Sequence, residues 1–406
     1  MPLNALVYEN SCSGHRGYYA QVLAQGLVEL GVNVTLAMPQ NEIDSPEGQS
    51  TVGKVLDSVT VLPTQNINSN SNWKTAAGNF DQIASVAKQT KCDHLYVPSA
   101  DGVSQVWGSR IRPGRLLPSQ CTCECLMLTT RAAYPVLGTA KKLLAKFNRR
   151  LVQRSGWDRV HHLDPIAYRH LADTSQRFAK RIRLLPEAIE PLQVSSKHEA
   201  RKTLKLGDFQ GKLITCPGAV NQRKGCDLLI RAFVDADLGN DVKLVLLGKQ
   251  GDVVRRMLES EFAKSVKSGH IISANRFATP LEFDSLFAAS DLVAVPYPVH
   301  TGSSSILIRA ARAGKNILAS ETGWIGWVTK NYALGEFCNV RNHSVLTNRL
   351  VKALKEKPSE LTNQRKRFLE YHDLENHLAH WLDLIIRENG IKADRGIIDF
   401  PFPDEI

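Results

Sequence analysis

The sequence predicts a two-domain α/β protein in which each half is an open parallel sheet with crossover helices. Three observations predict it. The chain has 406 residues, more than one hydrophobic core usually organises. Short apolar runs alternate with amphipathic stretches along most of its length, the rhythm of βα units. Small-residue loops recur where strands run into helices, the edge at which such sheets bind ligands.

The elements follow in order. Residues 3–9, LNALVYE, read as a strand, and the polar turn SCSGHRG follows. A helix over 18–30 puts Tyr19, Val22, Leu23, Gly26, Leu27 and Leu30 on one side; Gly31 ends it and NVTLAMP is the next strand. The segment 67–73 reads as an exposed loop, and 94–98 and 121–129 as strands. Residues 135–154 read as a basic amphipathic helix carrying Lys141, Lys142, Lys146, Arg149, Arg150 and Arg154. Strands in DRVHHLD and over 180–186 complete the first half, and 188–198 is the linker. The second half has strands at 212–218, in VKLVLLG, at 270–275, at 291–298 and in NILAS. The helices PLEFDSLFAAS and ILIRAARAG flank the fourth of these. Helices fill 346–389, and the tail is irregular.

Composition narrows the class. No run of eighteen apolar residues is present, so no membrane span is expected, and the N-terminus lacks a secretory pattern. The eight cysteines (12, 92, 121, 123, 125, 216, 226 and 338) show no CxxC or zinc spacing. Cys121, Cys123 and Cys125 alternate, so a strand puts them on one face, as small core residues or as a soft-metal site. A reduced, cytoplasmic protein is expected. The net charge of +11 suggests anionic partners: nucleotide phosphates, acidic lipid or nucleic acid. No zinc finger, RRM or aromatic-interleaved basic motif accompanies it, which argues against nucleic acid.

Three loops carry candidate chemistry. Ser13-Gly14-His15-Arg16-Gly17 either lets the backbone approach a ligand or is a tight βα turn. Arg223-Lys224-Gly225 opens a helix after the first strand of the second half, where a cation pair and a helix N-terminus would welcome a diphosphate. Thr301-Gly302-Ser303-Ser304-Ser305 offers hydroxyls and free N–H groups, a phosphate or sugar cradle rather than capping alone. His15 and His300 border these loops. His94, His161 and His162 read as structural. Asp101 is either an acceptor-side polar group or a turn aspartate.

The second half resembles the nucleotide-binding domain of the retaining glycosyltransferases of family 4. The resemblance rests on PGAVNQRKGCDLLIRAF, VKLVLLG, FATPLEFDSLFAASDLVAVPY and GSSSILIRAARAGKNILAS, spanning roughly 212–335. SGHRGYYAQVLAQGLVELGVNVTLAMP and RIRLLPEAIEP extend it more loosely into the first half. It implies the GT-B fold, two facing Rossmann-like domains. Residues 1–190 would be the acceptor domain and 191–371 the donor domain. Residues 372–406 would form a C-terminal helix returning toward the first domain, and a tail. By position, Lys224 matches the lysine that meets the donor diphosphate, with Arg223 beside it. The arginine often found after the family's first glycine is Ala219 here, following Gly218. Arg276 and Phe277 fall where the donor base is bracketed, and Gly14 and Gly17 match the loop facing the transferred sugar or the acceptor. The family's two glutamates are replaced by Thr301 and Arg309, and arginine offers no acceptor for ribose hydroxyls. Arg309 and Arg312 either face phosphate or an acidic donor, or are exposed helix charges, or mark a site that has lost activity.

The resulting expectation is a hexosyltransferase-like enzyme moving a sugar from a nucleotide-diphosphate donor to an unidentified acceptor, with retention. Lys224, Arg223 and His15 are its catalytic candidates. Gly14, Gly17, Gly218, Arg276, Phe277, Gly302, Ser303, Ser304, Ser305 and Arg309 are its donor-binding candidates. Neither cofactor nor metal is expected, since a basic pocket can neutralise the leaving group. The basic helix 135–154 either rests on anionic membrane or is a solvated face. The alternatives are a non-catalytic GT-B binding protein and a sugar-nucleotide epimerase on the same fold.

Overall fold

The computed structural model describes residues 3–110, 117, 118, 120–128, 139–194, 196–356, 361–391 and 396–403. The chain divides into two compact units, Met1–Ala188 with Leu374–Ile398, and Ile189–Asp373 with Asp399–Ile406.

Unit 1 is a seven-stranded parallel sheet of β1 (Asn4–Tyr8), β2 (Asn33–Pro39), β3 (Thr60–Thr64), β4 (His94–Val97), β5 (Thr122–Met127), β6 (Arg159–His162) and β7 (Ile182–Leu184). Its order is β3-β2-β1-β4-β5-β6-β7. β3 escaped the sequence reading because Pro63 interrupts it; it lies at the sheet edge, where a missing N–H is tolerated. The segment 67–73 is not all loop: helix Asn72–Thr90 starts inside it. The buried residues Ala76, Asn79, Phe80, Ile83, Val86 and Ala87 give that helix its inward face. Of the basic helix read over 135–154, Thr139–Arg154 is helical, and residues 135–138 lie outside the described residues.

Unit 1's core holds polar groups in a dry setting. Cys123 and Cys125 are buried on β5, and the sulfurs of Cys92 and Cys121 stand 3.5 Å apart. His161 Nε2 lies 2.9 Å from Glu124 Oε2, both wholly buried. Burial lifts the Glu124 carboxyl to a pKa of about 8, against the pull of Arg159, and holds His161 well below the usual histidine value. The pair is therefore a neutral acid on a neutral imidazole at pH 7. Helix Leu374–Glu388 packs on helix Arg16–Glu29. Gly26 is its notch, since a Cβ there would stand 2.7 Å from Leu378 Cδ2, and Tyr19 stacks on His377 with ring centres 5.6 Å apart.

Unit 2 is a six-stranded parallel sheet ordered β10-β9-β8-β11-β12-β13. Its strands are β8 (Lys212–Thr215), β9 (Val242–Leu247), β10 (Ile271–Ala274), β11 (Leu292–Val295), β12 (Asn316–Ser320) and β13 (Glu336–Cys338). The tail has no regular secondary structure where described, but it is anchored. Phe400 sits edge-on to Tyr371 at 5.0 Å and near Tyr332 and Phe368. Strand order reverses between β1 and β4 in unit 1, and between β8 and β11 in unit 2. Open α/β sheets bind ligands outside the carboxyl ends of strands at such switch points. Among the described residues no helix is long and apolar enough to cross a membrane.

Candidate active site

The unit 2 switch point is built from the loops after β8 and β11. The first runs through Gly218, at φ +94°, into the 3₁₀ turn Gln222–Lys224. The Asn221 side chain caps that turn by accepting from Lys224 N at 3.1 Å. Gly225 closes it at φ +68°, where a Cβ would stand 2.0 Å from the Pro296 carbonyl oxygen. No larger residue fits, and the close approach locks the β8 loop to the end of β11.

Lys224 is only 9% exposed. Its Nζ donates to Pro217 O at 3.1 Å and lies 5.3 Å from the centre of the Tyr297 ring. Burial opposes its charge, but the Tyr297 phenol and the Cys216 thiol outweigh that, and its pKa lies above the ordinary lysine value. The side chain is therefore a fixed cation with a donor to spare. Gly218 makes room for it, since a Cβ there would meet Nζ at 2.5 Å. Arg223 is exposed and enters no ion pair among the described residues.

Beyond β11, Tyr297 packs edge-on to His300 at 5.2 Å, and His300 Nε2 lies 3.1 Å from Ser303 O. Gly302 bends the chain at φ +101°. Ser304 caps helix Ser305–Arg312 by accepting from Leu307 N at 3.5 Å, so one serine does the capping. Ser303 and Ser305 flank it half-buried, and Thr301 is exposed. The first N–H groups of that helix add positive potential on the same side of the switch point as Lys224.

Other sequence-nominated residues have local employment. Arg309 is not an exposed helix charge: its guanidinium is 3.5 Å from Asp284 and lies over the Phe283 ring. Arg312 pairs with Asp373 and donates to Leu369 O at 2.9 Å. Arg276, in the loop after β10, donates to Glu282 Oε2 at 2.7 Å and to Phe277 O at 3.0 Å. That hydrogen bonding holds the Glu282 carboxyl down at about 2, although burial pulls the other way. Arg276 thus ties its loop to helix Pro280–Ala289 and leaves the Phe277 ring 63% exposed.

Gly14, His15 and Gly17 belong to unit 1. Gly14 takes φ +66° in open space, and exposed His15 sits at the N-cap of helix Arg16–Glu29. Gly17 is not a loop residue: it is in the helix's first turn, where a Cβ would lie 2.5 Å from Thr51 Oγ1 and 3.2 Å from Cys12 Cα. Asp101 opens helix Asp101–Ser109 and accepts from Leu128 N at 3.2 Å. The sequence reading missed a cavity at the β1/β4 switch point, lined by Tyr8, Glu9, Asn10, Arg16, Asn79 and Ser99 among others. Its one sequence signal was Glu9, a carboxylate directly after an apolar strand. Among the described residues no three His, Cys, Asp or Glu side chains group as a metal site.

Residues 200–372 match the family model of the group 1 glycosyl transferases. No curated protein matches the sequence. Among solved structures, sucrose-phosphate synthase from Thermosynechococcus elongatus superposes with a TM-score of 0.72 at 14% identity, covering 96% of this chain and 100% of that one. HepE from Anabaena, in complex with UDP, gives 0.65 at 13% identity over 95% and 100%. WaaG, a glycosyltransferase involved in lipopolysaccharide biosynthesis, gives 0.61 at 16% over 98% and 97%. The fold is GT-B, and residues 200–372, within the second unit, resemble the group 1 glycosyl transferases.

Proposed function

We propose that this chain transfers a hexose-type sugar from a nucleoside-diphosphate donor, with UDP as the first candidate nucleotide, and retains the anomeric configuration. The carrying observation is Lys224, a buried cation held at the unit 2 switch point by Gly218, Pro217 and Tyr297. The HepE structures contain UDP and UDP-glucose, which makes UDP-sugars the first donors to try. In this reading the diphosphate lies between Lys224 and the first turn of helix Ser305–Arg312. The C1–O bond to the diphosphate breaks with its electron pair on the leaving oxygen, whose charge the ammonium and N–H groups stabilise. An acceptor hydroxyl oxygen bonds to C1 on the same face, and its proton passes to the departing phosphate. Exposed Phe277 offers a face for the base, and Arg223 a second cation for phosphate. A thermal-shift series with UDP-, GDP-, ADP- and TDP-sugars tests the reading, because a ligand of the native state raises its stability. Selective stabilisation by one nucleotide supports it; no shift with any of them contradicts it.

The membrane contact is part of the same proposal. On helix Thr139–Arg154, Leu143, Leu144 and Phe147 are 66%, 61% and 58% exposed. At 100° per residue they form one arc, with Lys146 and Arg150 along one border and Arg154 within it, about two turns beyond Phe147. Apolar side chains bordered by cations suit an anionic lipid surface on the cytoplasmic side. Co-flotation with phosphatidylglycerol vesicles but not phosphatidylcholine vesicles, lost in Leu144→Ser/Phe147→Ser, is the expected result. Equal flotation of wild type and variant contradicts it.

A further inference from the structure

The loop that carries Lys224 is bracketed by two cysteines. Cys216 directly follows β8, and Cys226 is the first residue of helix Cys226–Asp235. Both are free thiols, 1% and 0% exposed, and their sulfurs stand 3.7 Å apart. The chain between them is held tightly at each end. Pro217, next to Cys216, offers its carbonyl oxygen to Lys224 Nζ at 3.1 Å, and Gly225, next to Cys226, packs against the Pro296 carbonyl. A disulfide needs its sulfurs at about 2.05 Å, so bonding would draw these two together by about 1.7 Å. Gly225 has no room to yield. What side-chain rotation leaves over therefore falls on Pro217 and, through its carbonyl, on Lys224.

The two thiols are chemically unlike. The hydrogen bond from Cys226 and the nearby Lys224 ammonium hold the Cys216 thiol below its ordinary value, against the pull of burial. That same hydrogen bond, with burial, pushes Cys226 well above it. Cys216 is therefore the nucleophile and Cys226 the resolving thiol. The sulfurs of Cys92 and Cys121 also approach, to 3.5 Å, but hydrogen bonding to neighbouring thiols, with burial, pushes both of those up. That pair offers little thiolate to start an oxidation. Sulfurs with almost no exposed surface exclude bulky disulfides and leave hydrogen peroxide, close to water in size, as the oxidant.

We propose that Cys216 and Cys226 are a peroxide-sensitive dithiol whose disulfide staples the two ends of the Lys224 loop and weakens donor binding. The Cys216 thiolate attacks one peroxide oxygen, the O–O bond breaks, and the departing hydroxide leaves as water with the proton Cys216 gave up. The Cys226 sulfur then bonds to the Cys216 sulfur as the S–O bond breaks, and the leaving hydroxide takes the Cys226 proton. Two thiols and one peroxide give one disulfide and two waters. The effect on the donor rests on the diphosphate reading of Lys224; the bridge itself does not.

Peptide mapping of the full chain before and after hydrogen peroxide reads the bridge. Trypsin cuts between the cysteines, at Arg223 and Lys224, so a disulfide appears as peptides 213–223 and 225–231 joined. The expected result is that joined pair, released by dithiothreitol. Calorimetry with UDP-glucose, or with whichever of the four nucleotide sugars stabilises most, reads the consequence. Affinity should fall roughly tenfold or more on oxidation, the cost of one misplaced charged hydrogen bond, and return with dithiothreitol. Peroxide-treated Cys226→Ala should keep its own reduced-state affinity, with Cys226→Ser in its place if that variant does not fold. No joined peptides, unchanged affinity in the bridged protein, or an equal loss in Cys226→Ala overturns the proposal. Reduced protein that binds no nucleotide sugar removes the donor reading and the stated effect with it, while the joined peptides still decide the bridge.

Discussion

Replacing Lys224 with methionine removes the cation at the unit 2 switch point while keeping most of the buried stem. The structure sets the size of the effect. Nζ spends one donor on Pro217 O at 3.1 Å and a second on the Tyr297 hydroxyl, so one remains for a diphosphate. One lost charge-assisted hydrogen bond is worth about 1.5–3 kcal/mol, or roughly 10- to 150-fold in Kd. Methionine keeps the stem's packing, and what folding loses is the Tyr297 contact, about 0.5–2 kcal/mol as a cation–π pair, with its hydrogen bond and the one to the Pro217 carbonyl. Calorimetric titration of UDP or the best-stabilising nucleotide sugar into wild type and Lys224→Met, with melts of both, measures the two terms separately. A variant that melts near wild type yet binds within twofold of wild-type affinity would refute the diphosphate assignment of Lys224.

Other outcomes follow from the same geometry. Gly225→Ala should cost about 2–4 kcal/mol, combining a left-handed backbone and overpacking against the Pro296 carbonyl. Gly14→Ala, at a similar φ but with nothing within 4 Å, should cost only about 1–2 kcal/mol, and chemical denaturation compares the two. His162 is wholly buried, and burial holds its pKa near 3, below the free value of 6.5. A depressed folded pKa gives stability that is present above pH 6.5 and lost as pH falls toward 3. Between pH 7.5 and 4.5 the loss is about 2–3 kcal/mol, and His162→Phe should melt with a flatter acid limb than wild type. Glu124 has the opposite sign. With its folded pKa raised to about 8, its contribution is complete below pH 4.5 and lost as pH rises through 8, so Glu124→Gln should flatten the alkaline limb.

The switch-point loops were legible in the sequence because their demands are local. Gly218, Gly225 and Gly302 take positive φ, and a helix that starts at the end of a strand needs a small capped turn. The helix Asn72–Thr90 was legible in principle, since its buried positions keep a helical period; the run of asparagines and serines at its start has the composition of a turn. Arg309 was not legible. Its partner Asp284 lies on a different helix, and only tertiary packing brings the two charges together. The Glu9 cavity was hidden for the same reason: Tyr8, Arg16, Asn79 and Ser99 come from separate segments that meet only when β1 lies beside β4. Gly17 had the right residue type but a different reason, close packing against Thr51 and Cys12.

The most direct test of the central claim is time-resolved ¹H NMR of the best-stabilising α-linked nucleotide sugar incubated with wild type and with Lys224→Met, water serving as the acceptor. The account predicts release of nucleoside diphosphate and free sugar by wild type, with the α-anomer appearing first and the variant much slower. No release by wild type, or equal release by both proteins, would contradict a transferase whose leaving group is held by Lys224.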